Sequence, residues 1–519
     1  LTALVARQTF SLISCLNSVI LNFTPMQIKK EKIIRILILI VAIAGVAFLT
    51  WAKSVTEKLE AQYAARESVQ ILDRFGELIK LEQNEDGFYV TYTNELTEEL
   101  KQLAITKEDR FFRYHQGVNP VSLIRAIKNY IGRGEREKGE WGKESRLRRV
   151  GGSTITQQLV KILLNHEGER NVKNKLQEMV YAVALETRTT KDEILNMYLN
   201  SVFLGNQVAG MEMASKLYFS SMSSSLTPEQ MQALINTIRS PSEGNPWAQG
   251  SVEVDMVKEK FKESFFEMVN SEEAFEVEQW CDEAAKTCEL STDRKLSEAV
   301  REIVQSNLSK MSDKHATHAA VVITKEPEHE ILAVIGSPSP RSTLAGFQIN
   351  MATQPRPIGS TVKPFIYALG FEKGLRPYSL VNDREYKFTT AEGFAHYPKN
   401  FDYEYRGMVS LHESLSNSLN VPAVKVLEYV TLDAFEDFLL KRVGVKSLQP
   451  IATYQYGVAL GQLEIDLLTL THLFSIFPNG GVLRNLDVGK NIIRKNVPME
   501  KKQEETRVFD PGDVQLINK

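Results

Sequence analysis

The stretch "IIRILILIVAIAGVAFLTWA", Ile33 to Ala52, constrains this chain more than any other part of it. It holds one charge, Arg35, near its edge and is otherwise apolar on every face, unlike the one-sided pattern of a helix on a soluble core. A run of about twenty such residues is long enough to cross a bilayer as a helix. Lys29, Lys30 and Lys32 precede it, and Trp51 closes it at an interface-like position. This positive flank puts the N-terminus in the cytoplasm and everything after residue 52 outside. No small-residue cleavage site follows, so the run reads as an uncleaved single-pass anchor. The chain starts at Leu1, and Met26 lies just before the basic cluster. The expected translation start is therefore Met26, with residues 1–25 an over-extended reading frame.

The 519 residues suggest roughly three domains. The net charge of −3 gives no sign of a nucleic-acid partner. Of the three cysteines, Cys15 precedes everything that looks folded, and Cys281 and Cys288 fall in a segment that reads helical. On a helix their spacing is about 10 Å along the axis, too far for a disulfide. Cysteine usage thus permits an oxidising compartment without requiring one.

Along the chain, residues 26–32 are expected in the cytoplasm, 33–52 in the membrane and 53–94 as a juxtamembrane segment with a strand-like "FYVTYT" at Phe88–Thr93. Helical patterns dominate from about 95 to 240. They are interrupted by the glycine-rich, charged stretch Gly132–Gly152, which reads as a solvated loop. "SPSEGNPW", Ser240–Trp247, breaks the helical block, and helix-like sequence resumes as a linker over 248–314. "AAVVIT" at Ala319–Thr324 and "EILAVIG" at Glu330–Gly336 then flank a short polar turn and predict a hairpin. An all-α domain over 95–247 is therefore followed by an α/β (α+β) domain over 315–519.

"VGGSTITQQLVKILLN", Val150–Asn165, gathers more polar groups than one helix entrance needs. Thr154 and Gln157 form a capping-box pattern, and Ile155, Leu159, Ile162 and Leu163 mark a buried stripe. Two readings stand: a well-capped core helix, or a polar pocket for a sugar or phosphate at a helix N-terminus. "KEDRFFRYHQGVNP", Lys107–Pro120, sets Glu108, Asp109 and His115 among aromatics. Such a carboxylate can serve as a general base, although the same residues also suit a surface turn. In "RNVKNKLQEMVYAVALE", Arg170–Glu186, the expected buried stripe is Val172, Leu176, Met179, Val180 and Val183, with Lys175 and Glu178 sharing one face.

The order of these segments carries further. E-D-x-x-F-x-x-H-x-G at 108–117, G-x-S-T-I-T-Q-Q at 151–158, K-x-x-E at 175–178, I-L-x-x-Y-L-N at 194–200 and G-x-x-x-x-G-x-x-x-A-x-x-x-Y-F at 205–219 follow one another. This closely resembles the peptidoglycan glycosyltransferase family, the polymerising domain of class A penicillin-binding proteins. The resemblance implies an all-α, lysozyme-like fold on the outer leaflet of the bacterial cytoplasmic membrane, acting on lipid II and a growing glycan strand. It implies that Glu108 is the general base taking a proton from the acceptor sugar's 4-hydroxyl, whose oxygen displaces undecaprenyl pyrophosphate. Glu178 would orient the donor and help hold a divalent metal, Mg or Mn. Lys161 and Lys175 would contact the pyrophosphate. Asp109, His115, Ser153, Thr154, Gln157 and Gln158 would complete the substrate cleft. Two positions depart from the family pattern: Asn174 stands where Arg is usual, and Asn196 where Glu is usual.

A second constellation begins in "QPRPIGSTVKPFIYALGFEKGL", Gln354–Leu375. A serine needs an activating base, and at a helix start Lys363 shares a face with Ser360. Pro364 is tolerated there because the first turn needs no N–H from it. Ser418-Leu-Asn420 follows, then "YGVALGQLEIDLLTL" at 456–470. S-x-x-K followed by S-x-N resembles the penicillin-binding transpeptidase family. The resemblance implies an acyl-enzyme on Ser360, Lys363 as its base, Ser418 relaying a proton to the leaving amine and Asn420 positioning the substrate amide, with no cofactor. Stem peptides and β-lactams would be its ligands. The family's K-T-G element does not occur in these residues, so the expectation is a C-terminally incomplete transpeptidase domain. Three readings follow: a bifunctional peptidoglycan synthase, a glycosyltransferase with an inactive second domain, and a non-enzymatic cell-wall scaffold or β-lactam sensor.

Overall fold

The computed structural model describes residues 28–120, 153–166, 171–248, 252–282, 285–389, 395–493 and 505–519. Met26, Cys15, the Gly132–Gly152 loop and Gly151-Gly152 lie outside them. The chain divides into two compact units, residues 1–67 with 90–250, and residues 68–89 with 251–519.

The first unit is helical. Helix α1, Ile28–Arg66, holds the apolar run and continues past it without a break. Among the described residues it is the single helix long and apolar enough to cross a membrane. Ile33, Leu39 and Leu49 are more than half exposed, whereas Ala52, Val55 and Leu59 are buried. The change falls at Trp51, where α1 stops facing outward and begins to pack. Helices α2 (Glu98–Glu108), α3 (Ile155–Leu163), α4 (Val172–Glu186), α5 (Lys191–Ser201), α6 (Met211–Phe219) and α7 (Pro228–Thr237) complete the unit. Capping boxes Thr190/Glu193 and Thr227/Gln230 start α5 and α7, each satisfying two otherwise orphaned backbone donors.

Helix α3 buries Ile155, Leu159, Ile162 and Leu163, the stripe its sequence marks. Its entrance is half a capping box. Thr154 Oγ1 accepts from the Gln157 N–H at 3.2 Å, but the Gln157 amide donates to the Gly117 carbonyl at 3.3 Å instead of reaching back. Helix α4 differs from expectation. Val172, Leu176 and Val180 are 86%, 60% and 42% exposed, while Asn174, Glu178, Ala182 and Leu185 are buried. The polar residues of this helix, not its longest apolar row, face the interior, because they have partners there. Phe88–Thr93 forms no strand; Tyr89 is a lone bridge residue.

In the second unit, β1 (Gln70–Leu72) and β2 (Leu78–Leu81) form an antiparallel hairpin. With β3 (Thr287–Leu290) and β8 (Gly489–Lys490) they make a sheet of order β8-β3-β1-β2, in which β1 and β3 run parallel. Residues 68–89 thus fold here, and the 248–314 region contributes β3 as well as helices α8 (Val252–Val269) and α9 (Arg294–Lys310). The expected hairpin is present as β4 (Val321–Lys325) and β5 (Glu330–Ile335), with Val321 opposite Ile335. Around helix α10 (Lys363–Glu372) a core gathers Phe365, Ile366, Leu369, Val424, Phe438 and Phe509.

The cysteine expectation is overturned. Cys281 and Cys288 form a disulfide, with Cα atoms 5.7 Å apart. Their segment is not helical: Cys281 follows a short 3-10 turn at Glu278–Trp280, and Cys288 lies in β3. The two cysteines do not share a helix, so a spacing computed along a helix axis does not apply.

Candidate active sites

Helix α2 is capped by Thr97 and ends on Glu108. The Glu108 side chain is only 8% exposed, and its Oε1 accepts from Arg239 Nε at 2.8 Å. Arg239, just beyond α7, also donates to the Lys107 carbonyl. Next in the chain, Asp109 Oδ2 lies 2.8 Å from His115 Nε2 and accepts the Ile155 N–H at 3.1 Å. Asp109 therefore fastens the end of α2 to the start of α3, where a carboxylate is favoured by the helix dipole. Gly117 completes this turn at φ +82°, and a Cβ there would sit 2.6 Å from the Ala182 carbonyl carbon, so no larger residue fits.

The other motifs meet at the same helix entrance. Thr154 Oγ1 donates to the Gly117 carbonyl at 2.7 Å. Lys175 Nζ donates to Ser153 Oγ at 2.8 Å and to Glu178 Oε2 at 2.9 Å. Tyr198 of α5 donates to Gln158 Oε1 at 3.0 Å. Burial first, then the charge of Glu108, push the Tyr198 phenol far above its usual range, with Arg239 opposing. Four segments distant in sequence thus converge on the N-terminus of α3.

The polar residues there divide into two groups. Thr154, Gln157, Asp109 and His115 are buried and bonded among themselves and to backbone, so they hold the entrance together. Ser153 and Lys175 are partly exposed and present donors; Lys161, also partly exposed, sits in the last turn of α3, away from this entrance. Glu178 is buried against Lys175. No group of three His, Cys, Asp or Glu side chains placed to hold a metal occurs among the described residues. Asn174 is buried beside this face, and Asn196 Oδ1 is buried without a hydrogen-bond partner among the described residues.

In the second unit, a 3-10 turn at Gly359–Val362 leads into α10 and leaves Ser360 exposed. Gly461 packs directly beneath this turn; a Cβ on it would overlap Gly359 Cα at 2.0 Å. That close approach accounts for the glycine in "GVALGQLEI". Lys363 is 1% exposed, and its Nζ donates to the Ser418 carbonyl at 2.6 Å, to Ser418 Oγ at 3.1 Å and to Asn420 Oδ1 at 2.8 Å. Burial pulls its amine down from 10.5 to about 8. Ser418 itself adopts φ +53°, a left-handed conformation uncommon for a residue with a Cβ. Asn420 opens helix α11, Asn420–Val430. A buried Lys363, one turn along the chain from Ser360, is thus bonded to an exposed Ser418 and a half-buried Asn420.

Sequence reasoning missed Arg239, Tyr198 as a partner of Gln158, and the buried residues around Asn420. Arg239 ends the helical block, immediately before the Ser240–Trp247 break.

Comparison with known proteins matches residues 75–268 to the Transglycosylase family and residues 319–519 to the penicillin-binding protein transpeptidase domain family. Penicillin-binding protein 1B of Haemophilus influenzae is 28% identical over an alignment covering 77% of this chain and 54% of that protein. Penicillin-binding protein 1F of Bacillus subtilis is 26% identical, covering 93% of this chain and 70% of that one. The crystal structure of penicillin-binding protein 1A from Haemophilus influenzae aligns with 87% of this chain and 79% of its own at a TM-score of 0.47 and 17% identity. The chain spans about half the length of the first two curated relatives it matches, 54% and 56%.

Proposed function

Because the chain belongs to the class A, bifunctional penicillin-binding proteins, we propose that it is a membrane-anchored peptidoglycan synthase whose first unit polymerises lipid II and whose second unit crosslinks stem peptides. The observation that carries the first half is the convergence of Glu108, Ser153, Lys175 and Glu178 on the N-terminus of α3. In this reading Glu108 accepts the proton of the acceptor's 4-hydroxyl. The freed oxygen attacks the anomeric carbon of the donor sugar, and that carbon's bond to undecaprenyl pyrophosphate breaks. The α3 N-terminus and the Lys175 ammonium offset the charge that develops on the leaving group. Ser153 adds a donor at the same mouth, and Lys161, in the last turn of α3, is a more distant pyrophosphate contact. Glu178 holds the Lys175 ammonium in place for this task.

In the second unit, Ser360 Oγ attacks the carbonyl of the penultimate D-Ala. Its proton passes to Lys363, and from there through Ser418 to the departing D-Ala amine; an acceptor amine then resolves the acyl-serine. What supports the reading is that Lys363 is buried, its amine lowered toward neutrality, and bonded to both Ser418 and Asn420. β-Lactams would acylate the same serine.

In this reading both units lie on the outer face of the cytoplasmic membrane, beyond the anchor. Lys29, Lys30 and Lys32 before it support that orientation. The Cys281–Cys288 disulfide supports it too, since such bonds persist in oxidising compartments.

The test is polymerisation of lipid II by the parent and by Glu108→Gln. An amide is nearly isosteric but cannot act as base, so the variant should fold normally and lose about 10²–10⁴-fold in rate. A variant polymerising within about ten-fold of the parent removes Glu108 from this role. Labelled penicillin reports on Ser360 in the same protein. Polymerisation without labelling would select a synthase active in glycosyl transfer alone, and neither activity would leave a cell-wall scaffold.

A further inference from the structure

We propose that Asn400 and Asp383 are positioning residues of the transpeptidase centre, acting on Asn420 through a chain of hydrogen bonds whose polarity is fixed at every link. The proposal rests on the reading of Ser360, Lys363, Ser418 and Asn420 as the acylation machinery.

An asparagine amide has two ends of similar shape and opposite chemistry, so its usefulness depends on which end faces the reaction. At Asn420 the choice is settled by neighbours. Its Nδ2 donates to the Lys399 carbonyl at 2.6 Å, which leaves Oδ1 for the Lys363 amine at 2.8 Å. The backbone N–H of Asn420 donates to Asn400 Oδ1 at 2.8 Å. Asn400 is oriented in turn, because its Nδ2 has two acceptors, Asp383 Oδ2 at 2.9 Å and the Glu404 carbonyl at 2.8 Å. Asp383 also accepts the Arg406 N–H at 2.9 Å.

The chain is rooted in rigid structure. Asp383 ends strand β6 (Leu380–Asp383), which pairs with β7 (Gly407–Ser410), and it lies directly opposite Gly407. Asp383 is 0% exposed and Asn400 is 4% exposed. Asp383 Oδ1 has no hydrogen-bond partner among the described residues. Burying a carboxylate is costly. A carboxylate differs from an amide in that it only accepts. It therefore forces the Asn400 amine toward itself and the Asn400 oxygen toward Asn420. The mutual orientation of Lys363 and Asn420 is thus set from a strand end that touches neither.

A plain structural role, in which Asn400 merely satisfies a free N–H at the start of α11, makes a different prediction from a positioning role. The experiment measures acylation of Ser360 by a fluorescent penicillin in the full-length protein, as a saturating rate and a half-saturating concentration. The variants are Asn400→Asp, Asp383→Leu and, as the conservative control, Asp383→Asn. Lipid II polymerisation by the same molecules reports that the chain is folded. Asn400→Asp and Asp383→Leu break the 383–400 link and should lower the saturating rate about 10–100-fold, as small misplacements of reacting groups do, with little change in the half-saturating concentration. Asp383→Asn keeps an oxygen that accepts from both Asn400 Nδ2 and the Arg406 N–H, with its nitrogen at the position of the unpartnered Oδ1. It should acylate within about three-fold of the parent. If Asn400→Asp does not fold, Asn400→Ala replaces it, removing the bond without setting two carboxylates together. Asn400→Asp and Asp383→Leu variants that acylate within about two-fold of the parent, or an Asp383→Asn variant no better than Asp383→Leu, overturn the proposal and leave the transpeptidase reading standing. A parent that polymerises lipid II but is not acylated at Ser360 overturns both.

Discussion

Lys363 shows how one buried side chain sets a pH dependence. A lysine at its ordinary value would be protonated, and useless as a base, throughout the neutral range. Burial lowers this one to about 8. Only the neutral amine can take the serine proton, so acylation should rise about ten-fold per pH unit below 8 and level off above it. A penicillin acylation profile whose rising limb lies above pH 9.5 would mean that Lys363 is not the base. The S-x-x-K and S-x-N spacings were legible because each joins residues two or three apart on one turn of chain. The groups that were not legible act across longer separations: Arg239 reaches Glu108 over 131 residues, and Asn400 reaches Asn420 over 20. No local pattern marks such a pair. Asn400 sits in "YPKNFDYEYRG", a stretch with the look of an ordinary polar turn.

At the scale of elements, periodicity located the helices but did not always say which face turns inward. In α3 the apolar stripe is the buried one. In α4 it is not, because Asn174 and Glu178 are drawn inward and Val172, Leu176 and Val180 are left outside. The two helices should therefore answer differently to the same substitution. Leu159→Ala removes a fully buried side chain and should cost about 2–5 kcal/mol. Leu176→Ala, on the 60% exposed face, should stay within about 0.5 kcal/mol. Chemical denaturation of the detergent-solubilised protein distinguishes them, and equal losses would show that the α4 face is covered. The entrance of α3 was legible only in part. Thr154 as its cap followed from the sequence, but the pull of the Gly117 carbonyl on Gln157 depends on a turn folded some forty residues earlier.

For the whole molecule, the division into a helical unit and a mixed one followed from the shift in pattern near residue 250. The transfer of residues 68–89 into the second unit did not, because β1 finds its parallel partner β3 more than two hundred residues later. The disulfide was hidden for a related reason: its two cysteines lie after a short turn and in a strand, where a helical reading puts both on one helix. Closing that short loop is worth about 2 kcal/mol to the fold. Protein alkylated in intact cells and analysed without reductant should yield the Cys281–Cys288 pair as a bridged peptide. Recovery of both as alkylated free thiols would place the second unit on the reducing side of the membrane.

Helix α1 runs from Ile28 to Arg66 without interruption, and Ala52, Val55 and Leu59 are built into the first unit's core. The anchor is therefore a mast and not a leash. From Trp51 to Arg66 it rises about 22 Å, and its inward face, Ala52, Val55, Thr56 and Leu59, is buried. A leash would let the catalytic mouth wander through a hemisphere and meet its amphiphilic substrate at any height or tilt. A mast fixes both, so the search for a donor becomes sideways drift in a plane, and the one freedom left to the unit is to spin about the membrane normal.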